Sequence, residues 1–88
     1  RQAVMRSRES LAEALTERGF EVLPSQANFI FTRPTLPATR FAQDLRDNGI
    51  LVRHFSDDRV KDYVRISIGT DEEMDAFLNV TEKIVAGG

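Results

Sequence analysis

Two arginines carry the strongest hint of chemistry in this chain of 88 residues. Arg65 lies in the middle of Tyr63–Ile68 (Y-V-R-I-S-I), where Val64, Ile66 and Ile68 alternate with Tyr63, Arg65 and Ser67. Arg53 lies near the end of the preceding apolar run, Ile50–His54 (I-L-V-R-H). A guanidinium is planar, forked and permanently charged, so two that converge can grip a carboxylate or a phosphate. Convergence needs the two segments to be neighbouring strands in a suitable register. Otherwise both are solvated side chains on an open sheet face, the commoner state of strand arginines. Spacing alone leaves both readings open.

Other candidates are weaker. His54, the single histidine, could act as a general acid or base. No strained nucleophile turn accompanies it, and Ser67 has little claim to be a nucleophile. A half-buried, hydrogen-bonded imidazole is therefore expected. With one histidine and no cysteine, the chain alone cannot build a multi-histidine or thiolate metal site, a disulfide or a thiolate nucleophile. Asp57 and Asp58 are adjacent, point apart and read as turn formers. Thr70-Asp71-Glu72-Glu73 matches a capping box, which accounts for its carboxylates without a metal. Gly69 before it permits a tight strand-to-helix turn, but no second glycine or Walker lysine makes a phosphate loop. Asn28, which opens N-F-I-F-T, could hold either a backbone or a ligand. These residues assemble no self-contained active site, so catalytic residues are expected to be absent.

The elements that must position the arginines follow from periodicity and stop signals. Val4, Met5, Leu11, Ala12 and Leu15 form a helical stripe that ends at Gly19. This helix starts without a cap, as though cut from a longer one, which reads as a domain excised from a larger protein. Phe20–Leu23 is a short strand closed by Pro24-Ser25-Gln26. Asn28–Thr32 is a second strand, apolar on both faces and so central. Arg33-Pro34 breaks it, and Leu36 or Pro37 opens a helix with the stripe Phe41, Ala42, Leu45 and a stop at Asn48-Gly49. Ile50–His54 is a third strand, Phe55–Asp62 a polar loop and Tyr63–Ile68 a fourth strand. A last helix turns Met74, Phe77, Leu78, Thr81, Ile84 and Val85 inward and ends at Gly87-Gly88. The order α-β-β-α-β-β-α predicts an α+β two-layer sandwich: about four strands, with helices on one face. The other face, bearing Tyr63, Arg65 and Ser67, is too polar for a core. It must meet solvent or another domain.

Composition sets the bounds. A hydrophobic content of 41% with 30% charged residues is that of one globular domain over residues 1–88. A net charge of -2 argues against nucleic acid as a partner. No apolar run approaches a membrane span and no signal peptide is read, so a soluble cytoplasmic protein is the default expectation. Ten of the twelve cations are arginine, which suits forked anion recognition.

Three segments carry a family resemblance: P-S-Q-A-N-F at Pro24–Phe29, G-I-L-V-R at Gly49–Arg53 and Y-V-R-I-S-I-G-T-D-E-E-M at Tyr63–Met74. In order and spacing, the chain resembles the C-terminal small domain of histidinol-phosphate aminotransferase, a pyridoxal-phosphate enzyme of histidine biosynthesis with the fold type I architecture. The resemblance implies that Arg65 binds a substrate α-carboxylate and that Arg53 helps to recognise the phosphate of histidinol phosphate. Asn28 would lie near the cofactor cleft. The whole enzyme would convert histidinol phosphate and 2-oxoglutarate into imidazole acetol phosphate and glutamate, as a homodimer. Its large domain would hold pyridoxal phosphate; Lys61 and Lys83 do not match the Schiff-base context, so these 88 residues alone would be inactive and cofactor-free. His54 stands where many relatives carry an acid, which leaves the amine substrate open. Alternatives are the small domain of an aminotransferase for aromatic amino acids, one like threonine-phosphate decarboxylase, or a stand-alone regulatory module that binds an anion.

Overall fold

The structure is a computed structural model that describes residues 2–25 and 27–87. The side chain of Val4 and the whole of Gln26 and Gly88, all used in the sequence reading, lie outside the described residues. Three helices and four strands follow the predicted order: α1 (Gln2–Glu17), β1 (Glu21–Val22), β2 (Phe29–Arg33), α2 (Ala38–Asp47), β3 (Arg53–His54), β4 (Val64–Ser67) and α3 (Asp71–Gly87). The strands form one antiparallel sheet in the order β1-β2-β4-β3. β2 and β3 therefore run parallel to each other, and β4 is inserted between them.

α1 and α2 end in the same way. Gly19 and Gly49 adopt φ values of 86° and 82°, the left-handed region that a Cβ disfavours. After α1 the Gly19 amide donates to the Thr16 carbonyl and the Phe20 amide to Leu15, each at 3.0 Å. After α2 the Gly49 amide donates to Arg46 and the Ile50 amide to Leu45, each at 2.9 Å. Both are Schellman turns. α3 starts on the predicted capping box: the Thr70 amide donates to Glu73 Oε1 (2.8 Å) and the Glu73 amide to Thr70 Oγ1 (3.1 Å).

All three helices cover one face of the sheet. Leu11 and Leu15 of α1, Phe41, Ala42 and Leu45 of α2, and Phe77 and Ile84 of α3 close over Ile30, Val64 and Ile66. Phe20 and Phe77 meet Phe41 edge-on, with ring centroids 5.4 and 6.3 Å apart. Buried Thr32 is satisfied because its hydroxyl donates to the Glu21 carbonyl at 2.9 Å.

Several expected boundaries move. Met5 and Val85, placed on inward stripes, are exposed, and Ala12 is only half-buried. β2 includes Arg33 and begins after Asn28, while β4 omits Tyr63 and Ile68. The largest change concerns Ile50–His54, of which only Arg53 and His54 pair with β4. The Ile50 amide is already bonded back into the α2 turn, so the chain cannot join the ladder there; Leu51 is left 81% exposed.

Candidate functional site: an arginine pair on an aromatic sheet face

The uncovered face of the sheet positions the chemistry. Strand alternation buries Ile30, Thr32, Val64 and Ile66 and turns Phe29, Phe31, Arg33, Arg65 and Ser67 the other way. Register then aligns a row across three strands: Phe31 opposite Arg65 on one side, Arg53 opposite Arg65 on the other. Residues directly opposite in an antiparallel pair have Cβ atoms about 5 Å apart, so the two arginine stems are immediate neighbours. The conditional reading of the sequence is met: β3 and β4 are adjacent and the register suits.

Arg65 is half-buried on this face and lies outside the helix-covered interior. Its Cζ stands 5.1 Å from the Phe29 ring centroid and 5.4 Å from that of Phe55. Arg53 is exposed, with Cζ 5.7 Å from the same Phe55 ring. These distances fall within cation–π reach. Among the described residues no carboxylate lies within salt-bridge distance of either guanidinium. The Nε of Arg65 is buried without a hydrogen-bond partner. Two like charges face each other, and rings rather than acids surround them. Such an arrangement carries a repulsive cost that an incoming anion relieves.

At the β1 edge of this face Glu21 sits opposite Arg33, and the Tyr63 hydroxyl donates to Glu21 Oε2 at 2.9 Å. That bond raises the phenol's pKa above its ordinary value of 10.0, because ionisation would break it beside a carboxylate. Glu21 is thus occupied away from the arginine pair.

The remaining candidates fall elsewhere. Asn28 is exposed at the start of β2, where its carbonyl accepts the Ile68 amide at 2.8 Å. Asn28 is one residue from Phe29, with the alternation of Ile30 and Thr32, so the register does not bring it to the arginine pair. His54 is half-buried and its Nε2 lies 2.7 Å from the Lys61 carbonyl, the hydrogen-bonding role the sequence suggested. Asp57 forms a turn: its carboxylate accepts the Arg59 amide at 2.8 Å, and the Arg59 side chain holds its pKa below the ordinary value. Among the described residues no group of three or more His, Asp and Glu could hold a metal, and no helix is long and apolar enough to cross a membrane.

The residues also fail to fit a pyridoxal-phosphate site. Lys61 is exposed in the loop after β3, 3.8 Å from Asp58, and Lys83 is exposed on α3, on the helical side. No lysine stands on the open sheet face among the described residues.

Sequence reasoning missed the aromatic bed. Phe29 and Phe31 meet edge-on at 5.7 Å, and Phe31 and Phe55 lie 6.3 Å apart at 44°. The face expected to be polar therefore has an apolar floor. N-F-I-F-T, apolar on both faces, held that signal; Phe55, read as part of a polar loop, did not.

A family model for aminotransferase class I and II matches residues 1–80. The chain is 54% identical over 77 residues to histidinol-phosphate aminotransferase of Pseudomonas entomophila, covering 86% of this chain and 22% of that protein. Its fold matches a protein of Erwinia carotovora atroseptica, provisionally described as a histidinol-phosphate aminotransferase, with a TM-score of 0.85 and 28% identity over 98% of this chain and 25% of the other. It also matches histidinol-phosphate aminotransferase from Sinorhizobium meliloti in complex with pyridoxal-5'-phosphate (TM-score 0.82, 23% identity, 98% of this chain and 24% of that one), a likeness of fold. The chain spans about a quarter of the length of the relatives it matches.

Proposed function

Since the chain belongs to the class I and II aminotransferases, we propose that it is the substrate-anchoring small domain of a histidinol-phosphate aminotransferase. The observation that carries this reading is the register pairing of Arg53 with Arg65 on an uncovered face, with no acid of the described residues on either. In this reading Arg65 holds the α-carboxylate of glutamate or 2-oxoglutarate and Arg53 the phosphate of histidinol phosphate. Forked charge-assisted donors suit both anions, and fixing the anionic end orients the reacting carbon. The aromatic floor keeps water from competing for the guanidinium planes. Asn28, at the sheet end, lies near the cofactor cleft of the complete enzyme. That enzyme is a cytoplasmic homodimer, and a large domain of the same polypeptide covers the open face.

Pyridoxal phosphate belongs to that large domain in this proposal; when bound there it supplies the electron sink for transamination. The 88 residues alone are inactive. The test is kinetic, in the complete enzyme. Arg65→Ala should lower kcat/KM for glutamate about 100-fold or more, as expected when a buried anion loses its forked partner. Arg53→Ala should act chiefly on histidinol phosphate. Histidinol phosphate should be preferred over phenylalanine and threonine phosphate. Unchanged glutamate kinetics in Arg65→Ala would refute the assignment.

A further inference from the structure

We infer that Phe55 is the positioning residue of the arginine pair: one ring, at the root of the loop after β3, sets the plane of both guanidinium groups. Phe29 lies close to Arg65 alone, whereas Phe55 lies 5.4 Å from Arg65 Cζ and 5.7 Å from Arg53 Cζ. Among the described residues it is the one aromatic ring within cation–π reach of both.

The ring is itself held. Phe55 is half-buried and rests against Phe31, which meets Phe29 edge-on, so three rings run across the sheet around Arg65. Its backbone follows directly on His54, which pairs with Val64 and whose Nε2 meets the Lys61 carbonyl at 2.7 Å. The loop root is therefore tied to β4 on one side and to its own far limb on the other.

The chemistry explains why a ring serves here. A carboxylate would orient an arginine more strongly, but it would neutralise the charge and compete with the incoming anion. The face of an aromatic ring attracts a guanidinium through its quadrupole and leaves the net charge untouched. It takes the plane of the guanidinium and leaves the terminal Nη groups, which can still grip an anion as a fork, to the substrate. The buried, unpartnered Nε of Arg65 agrees with a side chain ordered by stacking rather than by hydrogen bonds. Because both arginines share one ring, their orientations are coupled.

This inference rests on the substrate roles proposed above for Arg65 and Arg53, and its test separates the two. In the complete enzyme Phe55→Leu keeps the apolar volume and removes the ring face, whereas Phe55→Tyr keeps the ring face. Phe55→Leu should raise KM about five- to tenfold for glutamate and for histidinol phosphate alike, with kcat within about twofold. Phe55→Tyr should lie within about twofold of the parent for both. Phe29→Leu should weaken glutamate more than histidinol phosphate. Should Phe55→Leu fail to fold, Phe55→Met makes the same removal and carries the same expectation. A Phe55→Leu enzyme that loses neither substrate, or only one, overturns the inference, as does a Phe55→Tyr enzyme as weak as Phe55→Leu. Run in parallel, Arg65→Ala distinguishes the failures. If it weakens glutamate while Phe55→Leu is silent, only the positioning role falls; if it leaves glutamate untouched, the substrate assignment falls with it.

Discussion

On the helical side of the sheet Ile30, Thr32, Val64 and Ile66 are buried under three helices, in a core that is hydrocarbon apart from Thr32 and Thr81. One residue along the same strands, Phe29, Phe31 and Arg65 form a face whose order comes from rings beside charges. The two faces differ in what they do with energy. Burial on the covered face lowers the free energy of the folded chain and is complete within these residues. The open face keeps two like charges opposed, a cost that an anion from outside can offset. Stability is thereby assigned to one side of four short strands, and the proposed recognition to the other.

Breaking the covered face should have the largest effect. Phe41→Ala removes a fully buried ring that touches Phe20 and Phe77, and should cost about 3–5 kcal/mol of stability, read as a fall in the urea midpoint. A loss below about 1 kcal/mol would mean that the helices do not depend on that core. The contrast sharpens with Arg65→Ala, which should weaken anion binding by about 3–4 kcal/mol in the complete enzyme. Its urea midpoint should hold or rise, because one of two opposed charges is gone. A clear fall would show that the arginine serves the fold instead.

A smaller effect is expected at the sheet-to-helix junction. Thr70→Ala should cost about 1 kcal/mol by opening the capping box. Gly69→Ala should act through the same bond, since an added Cβ would stand 2.2 Å from Glu73 Oε1 and drive that carboxylate off the Thr70 amide. Neither should alter anion binding.

The smallest effect is spectroscopic. Tyr63 is the only tyrosine in the chain, so tyrosinate absorbance at alkaline pH reports it alone. Its phenol should ionise above the ordinary 10.0, and Glu21→Gln should bring the midpoint back down. The sign follows from the raised folded pKa. The stabilisation from this bond is fully present below the unfolded value near 10.0 and disappears as pH climbs through the higher folded value. A midpoint unaffected by Glu21→Gln would show that Tyr63 does not depend on Glu21.

How much of this could be read beforehand varies residue by residue. Gly19 and Gly49 announced their helix ends because a left-handed turn is a local demand on one residue. Thr70 and Glu73 announced the start of α3 for a similar reason, since the capping box closes within four residues. Alternation in Y-V-R-I-S-I placed Arg65 opposite to Val64 and Ile66. Ile50–His54 misled, because its pattern reads as a strand while its first amide is taken by the preceding helix. Asn28 looked equally suited to a ligand or a backbone, and in the fold it is its carbonyl that is bonded, to the Ile68 amide.

Local chemistry, then, was enough to specify which residues are helical, where helices stop and which strand positions share a side, because each depends on neighbours a few residues apart. The partnership of Arg53 with Arg65, β4 lying between β2 and β3, and the Phe55 ring beneath both cations came only with the tertiary structure. Those features depend on register between segments distant in the chain. Register is set by the joint burial of every strand under the helices, so no single segment contains it.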